Sequence, residues 1–93
     1  MIEPRFPVGQ LTMTRGALVE LTRANTNPLQ LISRHVSGDW GELDAFDKQQ
    51  NENALQHDLR LLSKYRLSPT NEPVYVITEA DRSYTTILLP EEY

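Results

Sequence analysis

The chain contains no cysteine among its 93 residues. That excludes disulfides, thiolate zinc sites and cysteine nucleophiles together. It suits a reducing compartment. Glycine is scarce, at four residues, and none belongs to a phosphate-cradling loop. No apolar run approaches the roughly 18 residues that a spanning helix needs. The stretch Met1-Ile2-Glu3-Pro4-Arg5-Phe6-Pro7 has two prolines and no apolar core, so no signal peptide is expected. A cytoplasmic location follows as an expectation, with no membrane contact. Positive charge is also short: nine Lys and Arg stand against thirteen Asp and Glu, a net charge of −4. Broad binding to DNA or RNA needs phosphate neutralisation, so direct nucleic-acid binding is not expected. No Ser-His-Asp order and no HExxH is present. No cofactor is expected.

What charge there is lies unevenly. Residues 1–38 carry Arg5, Arg15, Arg23 and Arg34 against Glu3 and Glu20, a net +2. Residues 39–58 carry Asp39, Glu42, Asp44, Asp47, Glu52 and Asp58 against Lys48 alone, a net −5. Residues 59–93 carry four cations against five carboxylates, a net −1. The acidity is a central block.

The length fits one domain. Residues 1–10 read as an arm, broken by Pro4, Pro7 and Gly9, and 11–93 as a single α+β domain. Thr14 can cap a first helix carrying Ala17, Leu18 and Leu21. Asn27-Pro28 opens a second, with Leu29, Ile32 and Val36 in one stripe and Gly38 at its end. Asp44 can cap a third, whose apolar residues are Leu43, Phe46, Ala54 and Leu55. Gln50 interrupts that face at the i+4 step from Phe46. From Leu59 the period changes to two, placing Leu61, Ser63, Tyr65 and Leu67 on one face. Strands at 74–78 and 84–89 follow, separated by turn clusters. The predicted fold is α+β, with three N-terminal helices packed on a three-stranded antiparallel meander.

Trp40, between Gly38-Asp39 and Gly41, reads first as a core plug and second as an exposed anchor for a partner. His35 and Asp39 are four apart and would align on a helix only if it ran past Gly38. No metal site is predicted, and His35 is expected to meet the carbonyls of its helix end. Gln50, Asn51 and Asn53 could form a polar pocket or one wet edge of an exposed helix. Glu79, Asp81 and Arg82 share a turn, where two carboxylates could do acid–base work or simply hold the loop together. Ser63, Thr78, Thr85 and Thr86 add hydroxyls on the strands. Arg60, Lys64 and Arg66 are expected to be solvated or paired within the chain.

The segments His35-Val36-Ser37-Gly38-Asp39-Trp40-Gly41, Arg60-Leu61-Leu62-Ser63-Lys64-Tyr65 and Ile77-Thr78-Glu79-Ala80-Asp81-Arg82-Ser83 form a pattern. With Thr85-Thr86-Ile87-Leu88-Leu89-Pro90-Glu91-Glu92-Tyr93, it resembles a family of small bacterial proteins carried on plasmids and other mobile elements. The family has no established activity, so the resemblance transfers no catalytic residue. It implies a bacterial, mobile-element setting. Small acidic proteins from such settings include inhibitors of host defence, of anti-CRISPR or anti-restriction type, which is an analogy only.

The expected function is therefore a non-enzymatic protein that docks a basic or nucleic-acid-binding protein. Its expected docking surface is Asp39, Trp40, Glu42, Asp44, Asp47, Asn51 and Glu52. The alternatives are a small hydrolase or nuclease using His35, Glu79, Asp81 or Asp39, and a homodimer formed through a strand edge or Trp40.

Overall fold

A computed structural model describes residues 4–93. The elements run β1 (Gln10–Met13), α1 (Arg15–Arg23), α2 (Pro28–Val36), α3 (Ala45–His57), β2 (Leu61–Arg66), β3 (Pro73–Thr78) and β4 (Tyr84–Leu88). A single 3-10 turn, Pro90–Glu92, follows β4.

Each helix begins where a side chain can take up free amides. Thr14 accepts from the Ala17 N–H, Asn27 from Leu29, and Asp44 from Asp47. Pro28 occupies the first turn of α2, where a missing N–H costs nothing. Gly38, just past α2, adopts φ +88°.

The sheet corrects the predicted fold. It has four strands in the order β1-β4-β3-β2 and is mixed, not a three-stranded antiparallel meander. The β2–β3 and β3–β4 pairs are antiparallel as expected. The extra strand, β1, precedes all the helices and lies parallel to β4, with Leu11 opposite Thr85. A four-residue strand is too short to show a period. Its partner sits at the far end of the chain, so no hairpin turn announces it.

Helices α1 and α2 cover one face of the sheet. Ala17, Leu21, Leu31 and Ile32 pack there against Tyr65, Val74, Val76 and Ile87. The second cluster joins Phe6, Trp40, Ala54 and Leu61, tying residues of the predicted arm to α3 and β2. α3 lies along β2 and touches the body mainly through Asn51 and Ala54, its two buried residues. No helix is long and apolar enough to cross a membrane among the described residues.

Candidate functional site

The acidic block 39–58 separates into two kinds of carboxylate. Three are taken up within the chain. Asp39 pairs with Arg34 at 2.7 Å, and Glu42 with Arg66 at 3.1 Å. Glu52 grips both Nη atoms of Arg5, at 3.0 and 2.8 Å, and accepts from Trp40 Nε1 at 3.0 Å. The Arg34 guanidinium and the Gly41 N–H hold the Asp39 carboxyl below the usual range. Arg5 and Trp40 do the same to Glu52. Glu42 and Glu52 are spent on joining distant segments, and Asp39 on the end of α2. Asp44 and Asp47 at the start of α3, and Asp58 just past its end, are in no ion pair among the described residues.

Trp40 is buried, at 4% exposure, so the core reading holds and the anchor reading does not. It stacks on Phe6 with ring centroids 6.2 Å apart and meets the His35 ring edge-on at 5.8 Å. The exposed aromatics lie elsewhere: Phe46, in the first turn of α3, is 70% exposed, and Tyr84 and Tyr93 are exposed outside the acidic block. Asn51 and Ala54 fix how the helix is turned. At roughly 100° per residue, Phe46 points about 110° away from their mean direction. It shares the exposed side with Gln49, Gln50 and Asn53, the i+3, i+4 and i+7 positions. The interruption of the apolar face at Gln50 is the sequence signal that Phe46 and Ala54 do not share one buried stripe.

Asn51 has a different task. Its amide donates to the Leu62 C=O, and its carbonyl accepts the Leu62 N–H at 3.1 Å. The side chain thus imitates a neighbouring strand. Two residues on, Lys64 N–H donates to Trp40 C=O at 3.2 Å, and Glu42 N–H donates to Lys64 C=O at 2.7 Å. Gly41, at φ +74°, lies so close that a Cβ there would overlap the Lys64 carbonyl. The outer edge of β2 is therefore closed at Leu62 and Lys64. For Asn51 this is neither the polar pocket nor the wet edge expected of the amides; the wet-edge reading holds for the other two. Gln50 and Asn53 are exposed.

His35 corrects a second expectation. It does not meet helix-end carbonyls: it is fully buried, with Nδ1 2.6 Å from Ser63 Oγ and Nε2 2.9 Å from Thr78 Oγ1. Thr78 Oγ1 lies 2.6 Å from Thr85 Oγ1, which donates to the Val8 C=O at 2.9 Å. The carbonyl can only accept, which orients the chain. Thr85 donates to Val8, Thr78 to Thr85, and His35 Nε2–H to Thr78. In the neutral ring, Nδ1 then accepts from Ser63. Burial first, and the charge of Arg82 second, lower its pKa to about 4.

The turn of Glu79, Asp81 and Arg82 is held by its own bonds. Asp81 accepts the Ser83 N–H at 3.0 Å, and the Ser83 side chain first and this N–H second keep its carboxyl below the usual range. Arg82 donates to the carbonyls of Leu59, Glu79, Ala80 and Ala54. Its charge thereby meets the C-terminal end of α3. Glu79 pairs loosely with Arg60, at 3.6 Å. His35, Asp39 and Asp81 are not brought together: the first is buried, the second is paired with Arg34, and the third lies on an exposed turn. No cluster of three His, Asp or Glu suited to a metal occurs among the described residues.

The fold and site define a small α+β protein with a closed sheet edge and an acidic, aromatic helix start. No protein-family model, curated protein or solved structure matches the chain.

Proposed function

We propose that the chain is a non-enzymatic binding protein that docks a basic, nucleic-acid-binding protein through the first turns of α3. The observation that carries this is Phe46, 70% exposed and set between the unpaired carboxylates of Asp44 and Asp47. An exposed aromatic supplies a desolvating anchor, and flanking charge steers the encounter. The anchor belongs to a helix ridge continued by Gln49, Gln50 and Asn53, the spacing with which helices enter grooves. Trp40 and Asn51 are buried and are not its contacts, while Asp39, Glu42 and Glu52 are held in ion pairs within the chain. The likeness to mobile-element proteins makes a defence enzyme acting on nucleic acid the partner class of this reading. The helix would occupy its phosphate-binding surface.

The test is affinity capture from a bacterial lysate with the native protein and with the triple variant Asp44→Asn, Phe46→Ala, Asp47→Asn. Asn at position 44 keeps the helix cap. The expected outcome is a basic protein retained by the native chain, released by high salt and lost from the variant. A partner retained equally by both, with the variant's circular dichroism unchanged, overturns this docking surface.

A further inference from the structure

The two edges of the sheet are treated differently. The outer edge of β2 is closed by Asn51, Trp40 and Glu42. Strand β1 forms the other edge, and nothing among the described residues pairs with its outer side. Gln10 N–H donates to Ser83 C=O and Thr14 N–H to Ile87 C=O, each at 3.0 Å. The even-numbered residues therefore face β4. By alternation, the N–H and C=O of Leu11 and Met13 point outward. The strand Gln10-Leu11-Thr12-Met13 carries no charge, no proline and no bulge, the usual protections of an open edge. Beside it runs an apolar groove of about 130 Å³ between β1 and α2, lined by Leu11, Met13, Pro28, Leu29 and Ile32. Leu11 is 44% and Leu29 60% exposed.

We infer that this edge pairs with a second copy of the chain. An antiparallel two-fold centred on Thr12 sets Leu11 opposite the second copy's Met13, and Met13 opposite the second copy's Leu11. Both are pairs of the hydrogen-bonded type, so four backbone bonds form and every outward group of the two residues is used. The strand is complementary to itself, and no other sequence is needed to satisfy it. The same operation brings the two grooves together across the joint. Neither strand nor groove lining carries a charge, so a basic partner finds no complement there, in contrast to the start of α3. With β2 closed, the pairing ends at two copies and yields one eight-stranded sheet, not a fibre. A joint of two four-residue strands and a few side chains falls below the roughly 800 Å² per partner of a standard interface. The dimer is therefore a weak one that dissociates on dilution.

Sedimentation equilibrium over a wide concentration range tests this. The expected mass rises from one chain to two, and no further. Leu11→Lys and, separately, Leu29→Lys should remain monomeric at concentrations where the native protein is dimeric. In parallel, amide exchange at Leu11 and Met13 of the native protein should slow as concentration rises. This reads the edge directly if a variant fails to fold. A native chain that stays monomeric at the highest concentration overturns the inference. So do a dimer unchanged in both folded variants, exchange at Leu11 and Met13 independent of concentration, and assemblies larger than two. Capture experiments with the α3 variant do not touch this edge, so the two proposals stand or fall separately.

Discussion

At the scale of the residue, His35 carries the sharpest consequence. Its folded pKa is about 4, below the ordinary value near 6.5. Between those values the unfolded chain holds a proton that the folded chain refuses. Stability from neutral His35 is thus fully present above about pH 6.5 and is lost as pH falls toward 4. The slope is about 1.4 kcal/mol per pH unit, so the loss from pH 6.5 to 4.5 is about 2–3 kcal/mol. The lowered carboxyls of Asp39, Glu52, Asp81 and Glu92 act in the same direction, from the acid end of this window downward. Their unfolded values lie near 4. Urea denaturation at several pH values should show this fall in the native protein and a flatter profile in His35→Gln. Equal slopes in both would remove His35 as the cause. Gly41 is the other demanding position: Gly41→Ala combines a positive φ with a clash on β2.

At the scale of the element, the decisive feature is the closure of β2 by α3. Asn51→Leu leaves the Leu62 N–H and C=O without partners. The expected cost is about 2–3 kcal/mol, because a buried polar group without a bond bears its full desolvation penalty. Amide exchange at Leu62 should accelerate before global unfolding. Asn51→Asp should be intermediate, since a carboxylate still accepts from the N–H but repels the carbonyl. Unchanged exchange at Leu62 in Asn51→Leu would show that the amide closes nothing. What the sequence shows of these elements follows from how local their causes are. Thr14, Asn27 and Asp44 cap helices within three residues, and each was legible. So were β2 to β4, from alternation and turn clusters. Strand β1 was not, because its partner lies some seventy residues away. The role of Asn51 was not either: a polar side chain that imitates a strand looks, in sequence, like any solvated amide. The acidic block misled for the same reason. Arg5, Arg34 and Arg66 neutralise half of it, and for Arg5 and Arg66, 47 and 24 residues from their partners, no local pattern shows such pairing.

At the scale of the whole molecule, the second apolar cluster acts as a joint. Phe6, from the N-terminal segment, meets the His35 ring edge-on at 5.1 Å and stacks on the Trp40 ring at 6.2 Å. Arg5 binds α3 through Glu52, and its N–H donates to the Val36 C=O at the end of α2 at 2.7 Å. Residues 5 and 6 thereby connect α2, α3 and the segment before β2. The chain has one tryptophan, and Trp40 sits at this joint. Its emission reports whether the joint is closed. Removing a buried Phe side chain costs about 3–5 kcal/mol, a large part of a typical domain's stability. Phe6→Ala should therefore lower the denaturation midpoint strongly and shift Trp40 emission to the red in the folded state. In the native protein, emission and far-ultraviolet circular dichroism should trace one transition, because the joint unites both layers. In Phe6→Ala the emission change should come first, with α1 and α2 still packed on the sheet. If the two signals stay superimposed in Phe6→Ala and the folded emission is unshifted, the N-terminal segment does not hold the joint. The stability of Trp40 would then rest on α3 and β2 alone.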